Sequence, residues 1–127
     1  NRPVKTLAAE SPRLAAIDGR PHDLMRGADR YLMPLISSSW RGMFRWNGSG
    51  EMPAEYRQRL DTFVKRAHEN GQRVRFWGLP RPDRVWPVLY EAGVDLLNAD
   101  RLDKLQAFLL EKRRETTVTQ DNRRTEP

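Results

Sequence analysis

RVRFWGLPRPDRVWPVLYEAGVDLLNADRLDKLQAFL, running from Arg73 to Leu109, is the stretch on which the fold turns. It opens on Arg73-Val74-Arg75-Phe76-Trp77-Gly78, β-branched and aromatic residues halted by a glycine, which is strand composition. A helix is expected over Asp83–Ala92 and ends at Gly93. Pro87 interrupts it, tolerable only if it falls within the first turn. Val94-Asp95-Leu96-Leu97-Asn98 reads as the next strand. From Asp100, a natural N-cap, Leu102, Leu105, Phe108 and Leu109 recur on one helical face. Lys112, Arg113 and Arg114 suit the negative end of that helix, expected near Arg114. Strand, helix, strand, helix in close succession is the pattern of an α/β domain with parallel strands.

The chain upstream repeats the alternation. Pro53 to Asn70 predicts the clearest helix, with Tyr56, Leu60, Phe63, Val64 and Ala67 forming one apolar stripe and Gly71 as its stop. Trp40–Pro53 holds Gly42, Gly48 and Gly50 and is expected to be a long loop. Leu32–Ser37 reads as a strand, although Pro34 weakens its first residues. Leu14–Asp18 reads as a buried strand ending at Gly19, and Pro3–Ala9 as a short helix. The polar residues 115–127 are expected to form a disordered tail behind an ordered unit of residues 1–114.

Composition narrows the function classes. The chain has 127 residues, enough for one domain, with a net charge of +6. The surplus is spread out: eight Lys/Arg against four Asp/Glu in residues 1–50, ten against nine in 51–110, five against four in 111–127. No basic arm, helix-turn-helix or zinc pattern accompanies it, so no nucleic-acid partner is expected. Four lysines stand against nineteen arginines. Arginine's planar fork suits phosphate, and a compositional bias of the source genome gives the same preference. With no cysteine, disulfides, thiolate zinc sites and thiol nucleophiles are out. No apolar run approaches the roughly 20 residues of a transmembrane segment.

About four strands alternating with helices make half of a (β/α)8 barrel, which takes roughly 250 residues. The strand-end motifs carry a resemblance of the same size. Asn1-Arg2-Pro3, Asp18-Gly19-Arg20, Pro34-Leu35-Ile36-Ser37 with Trp40, Phe44-Arg45-Trp46, Arg75-Phe76-Trp77, and Asn98 with Asp100 occur in the order and spacing of one known group. The chain up to Leu110 resembles the C-terminal half of a phosphatidylinositol phospholipase C-like or glycerophosphodiester phosphodiesterase barrel, in the altered inheritance of mitochondria protein branch. That likeness implies an α/β fold, the back half of a TIM-type barrel. It also implies a parent that is a metal-dependent phosphoric diester hydrolase, acting on a small phosphodiester or lipid headgroup.

The resemblance equally implies what is missing. Family members carry a His-Asn-Asp segment, a Glu-x-Asp pair and an Asp-x-Lys strand on their first three strands, supplying the acid/base histidine and carboxylates for a divalent metal, Ca or Mg. None stands in this sequence, and His22 and His68 match neither position. No catalytic residue and no metal are therefore expected of this chain alone. What it would supply is substrate contact: Arg2, Asp18, Arg20, Ser37, Arg75, Trp77 and Asn98, at strand ends that open into the mouth of such a barrel.

Each has a plainer reading. Asp18-Gly19 is ordinary turn chemistry, Ser37–Ser39 reads as capping, and Arg2 lines the mouth only in an intact parent. Arg75 and Trp77 share one strand face. If it looks into the barrel, Trp77 is a wall and Arg75 a phosphate donor; if outward, Phe76 faces the mouth instead. The rings of Trp40, Phe44 and Trp46 either cover a lipid-like substrate or pack back on the rim. A small basic polyanion-binding module without catalysis is the alternative function. A half barrel leaves open sheet edges, so self-association is expected.

Overall fold

The computed structural model describes residues 2–124. Its elements are α1 (Val4–Ala9), β1 (Asp18–Gly19), α2 (Pro21–Met25), β2 (Leu35–Ser39), α3 (Trp40–Met43), α4 (Ala54–Glu69), β3 (Arg73–Trp77), α5 (Pro82–Glu91) and α6 (Leu102–Arg124). The three strands form one parallel sheet in the order β1-β2-β3, each beside its neighbour in the chain. The class is α/β, with three strands where about four were expected. The expected fourth, Val94–Asn98, makes a single parallel bridge, Leu96 to Arg75. The reason lies at its first residues: the Asp95 carboxylate accepts the Val74 amide at 2.7 Å, displacing the strand partner that amide would otherwise take.

Alternation along the strands separates two faces. Ile36, Val74 and Phe76 are fully buried against α4 and α5, in a core with Leu60, Val64, Val85 and Leu89. Phe76 is its aromatic centre: Trp40 stands edge-on at 5.5 Å, Phe63 at 5.8 Å and Phe44 at 6.0 Å. Trp40 and Phe44 are themselves buried and 4.5 Å apart, and the Trp40 indole N–H donates to the Trp46 carbonyl at 2.9 Å. Those two rings therefore pack back on the sheet. Register places Leu35, Ser37 and Ser39 beside Arg73, Arg75 and Trp77 on the opposite face.

Several boundaries differ from expectation, each for a local reason. Only Asp18–Gly19 pairs as β1; Leu14 is 92% exposed and Ala15 and Ala16 are exposed with it. That apolar run makes no ladder pair and stays exposed. β2 begins at Leu35 rather than Leu32, because Pro34 has no amide to give, while its carbonyl accepts the Arg73 N–H at 2.9 Å. Leu32 and Met33 instead join Ile17 in a smaller cluster under α1. The expected loop from Trp40 starts with a one-turn helix, α3.

Pro87 sits inside α5, beyond the first turn, so that expectation is corrected. The lost bond to the Asp83 carbonyl is outweighed by burial of Val85, Trp86 and Leu89 on the same helix. α6 runs past the expected end near Arg114 to Arg124. In it, the hydroxyls of Thr116, Thr117 and Thr119 donate to carbonyls one turn back, at 2.9–3.1 Å. Residues 125–127 lie outside the described residues. No helix among the described residues is long and apolar enough to cross a membrane.

α4 ends where Gly71 adopts φ +73°, its amide bonding back to the His68 carbonyl at 2.9 Å. Gly19 is needed for space: a Cβ there would stand 2.5 Å from the Ile36 Cδ1 methyl in a fully buried position. We expect Gly19→Ala to destabilise by about 1–3 kcal/mol through overpacking. Phe76→Ala should cost about 3–5 kcal/mol, whereas Trp77→Ala next to it, 45% exposed, should cost under about 1 kcal/mol. Chemical denaturation of the three variants checks the assignment of faces.

Candidate functional site

The helix-free face gathers three of the expected residues from three strands. Asp18 comes from β1, Ser37 from β2 and Arg75 from β3. One Asp18 oxygen, Oδ2, accepts Arg75 Nη2 at 3.3 Å and Ser37 Oγ at 3.4 Å. Both contacts are long for their kind. Ser37 is fully buried, while the Asp18 and Arg75 side chains are 43% and 32% exposed. Arg75 Nε is buried with no hydrogen-bond partner among the described residues. The guanidinium thus has donor capacity in reserve, oriented by one loose carboxylate contact. Trp77, two residues on, shares this face and is 45% exposed. Of the two alternatives, Phe76 is the core ring and Trp77 the outward one.

Arg20 and Arg2 flank the cluster differently. Arg20 directly follows β1, its Nη1 donates weakly to the Gly19 carbonyl at 3.4 Å, and no carboxylate pairs with it among the described residues. Its backbone begins α2: the Arg20 amide donates to Asp23 Oδ2 at 2.8 Å, and the Asp23 amide returns to the Arg20 carbonyl at 2.9 Å. Arg2 Nη1 is committed to Asp23 at 2.7 Å and to the Asp18 carbonyl at 3.0 Å. Arg2 therefore braces the end of β1 against α2. Asn98 is not brought into the cluster; its carbonyl accepts the Trp86 indole N–H at 3.1 Å, fastening α5 to the segment before α6.

Sequence reasoning missed α2 and Asp23. Pro21 at the first helical position, with an acidic residue two positions later, was the available signal. Burial acts to raise the Asp23 pKa, but the Arg2 hydrogen bond, the Arg20 amide and the charges of Arg2 and His22 outweigh it, leaving the carboxyl below the ordinary aspartate range. Among the described residues no group of three His, Asp or Glu side chains could hold a metal ion. The donors for a divalent cation are not assembled on this face. His68, the other histidine, bonds Asp95 Oδ2 at 2.8 Å by the amide of Val74, near the start of β3 rather than its end.

Comparison with known proteins finds local likeness. No protein-family profile matches the chain. The chain is similar to Altered inheritance of mitochondria protein 6 of Eremothecium gossypii, 39% identical over 54 residues that make 39% of this chain and 14% of that protein. It is also similar to the protein of the same name from Zygosaccharomyces rouxii, 34% identical over 69 residues, 46% of this chain and 16% of that one. The match thus spans under a fifth of either relative's length. No solved structure matches.

The Asp23 linkage carries a pH prediction. A carboxyl whose folded pKa is lowered contributes stability that is present above its unfolded value, about 3.9, and lost as pH falls through the folded value. Arg2→Met should destabilise by about 1 kcal/mol at neutral pH, and the difference from the parent chain should shrink once pH falls below both values. Urea titrations from pH 7 to 2 measure it.

Proposed function

We propose that this chain is the substrate-holding, C-terminal half of a (β/α)8 barrel of the phosphatidylinositol phospholipase C-like type, part of a phosphoric diester hydrolase. The carrying observation is Arg75: a guanidinium on the helix-free face, with a buried, unpartnered Nε and one loose carboxylate contact, beside an outward tryptophan. Consecutive parallel strands with helices packed on one face also support it, since that is the geometry of a barrel wall. The likeness to the two fungal proteins agrees with the branch.

In this reading Arg75 takes two oxygens of a phosphodiester through its two Nη groups, a fork matched to the planar edge of the anion. Asp18 aligns the guanidinium until the anion arrives, and the buried Ser37 hydroxyl, donating to Asp18, positions that carboxylate. Arg20, at the end of β1, adds a second cation to the same mouth. Trp77 supplies a flat wall for the glycerol or inositol portion. The proton-shuttling histidine and the metal carboxylates belong to the preceding half of the parent, and this chain holds the substrate rather than cleaving it.

The expected outcome is that the pure chain binds glycerol phosphate weakly, by phosphorus NMR, and that Arg75→Ala weakens binding roughly tenfold or more. Arg75→Lys should not restore it, because the second donor is lost. No turnover of a glycerophosphodiester is expected with Ca or Mg added, and measurable turnover would refute the division of labour. Binding indifferent to Arg75→Ala but falling steeply with salt would favour the alternative, a basic polyanion-binding module.

A further inference from the structure

The cluster on the helix-free face holds an anion of its own. Asp18 Oδ2 stands 3.3 Å from Arg75 Nη2 and accepts the hydroxyl of the fully buried Ser37 at 3.4 Å. Both partners sit on strands, so the sheet itself places this carboxylate. Arg2 does not neutralise it, being paired with Asp23 at 2.7 Å and reaching only the backbone carbonyl of Asp18. Arg20 lies two residues beyond Asp18 on extended backbone, which returns it to the same side. Arg73 shares the face but stands beside Leu35, one pair below Arg75 and away from the strand ends. Arg75 and Arg20 against Asp18 therefore leave a single positive charge around the free Nη donors.

We infer that Asp18 sets the charge of the ligand: this face accepts a singly charged phosphodiester and rejects a doubly charged phosphomonoester. That role rests on the reading of Arg75 as the phosphate donor. An anion held by the two Nη groups puts one oxygen on the nitrogen that Asp18 already occupies. Two acceptors on one planar nitrogen lie about 5 Å apart. Between partly exposed groups at that distance, each further negative charge on the ligand costs roughly tenfold in affinity. A diester carries one charge at phosphorus, whereas a monoester carries nearly two above its second ionisation, about pH 6. Hydrolysis adds water across one P–O bond, releases the alcohol, and leaves a monoester that gives its extra proton to solvent. The fixed carboxylate thus favours the substrate over its product and helps the product leave.

Phosphorus NMR titrations at pH 8 with glycerol phosphate and with its methyl ester test this, because the two probes differ by one charge at phosphorus. The wild-type chain should bind the ester at least as tightly as glycerol phosphate, although the ester carries less charge. Asp18→Asn keeps the shape and the ability to accept both hydrogen bonds but removes the charge. It should move the ratio of the two affinities roughly tenfold towards glycerol phosphate. If Asp18 only aligned Arg75, the variant would weaken both probes alike; an unchanged ratio overturns the inference and leaves the role of Arg75 intact. A tenfold wild-type preference for glycerol phosphate over the ester overturns it without any variant. Binding of both probes that is indifferent to Arg75→Ala removes the phosphate-donor reading, and the role of Asp18 falls with it.

Discussion

The placement of Phe76 is the constraint that orders the rest of this structure. Its ring is fully buried with Trp40, Phe44 and Phe63 around it at 5.5–6.0 Å. A strand alternates sides with every residue, so burying Phe76 turns both Arg75 and Trp77 away from the helices. A slip of one residue would drive the Arg75 guanidinium into an apolar core, at a desolvation cost that no partner there could offset. The same aromatic cluster fixes the loop after β2, because Trp40 anchors it through the bond to the Trp46 carbonyl.

The chemistry of the helix-free face follows from how little holds Arg75. A partly exposed ion pair at 3.3 Å contributes little to stability, so Asp18 is better read as an aligning group than as a structural brace. Arg2 makes the contrast. It binds Asp23 at 2.7 Å with side chains only 27% and 15% exposed, and it depresses the acid's pKa, which is how a structural ion pair behaves. Elsewhere arginine is used locally on α4, where Arg57 and Arg59 pair with Asp61 and Glu55 one turn away. Among these arginines, Arg57 and Arg59 make surface pairs, Arg2 is a structural brace, and Arg20 and Arg75 keep donors to spare on the site face.

The core helices pack on one face of the sheet, and the opposite face is polar and partly open. Asp95 explains why the last strand stays rudimentary. Its carboxylate occupies the Val74 amide and is itself held by His68 at 2.8 Å, so the ladder is replaced by a side-chain clamp at its base.

Most elements were legible from residues alone. The stripe Leu60-Phe63-Val64-Ala67 and the stop at Gly71 located α4, and Val74-Arg75-Phe76-Trp77 located β3, because periodicity and glycine act over short range. The likeness to the fungal proteins was equally present in the strand-end motifs. Asp18, Ser37 and Arg75 were each nameable, but their convergence on one oxygen was not, since 57 positions of chain separate Asp18 from Arg75. Pairing decided the rest: Leu14–Ala16 has strand composition yet lies outside the ladder, and Pro87 stays helical because packing outweighs one missing bond. Local chemistry settled which segments are helix or strand, whereas which face met water and which arginine kept a free donor depended on long-range neighbours that no local stretch of residues contains.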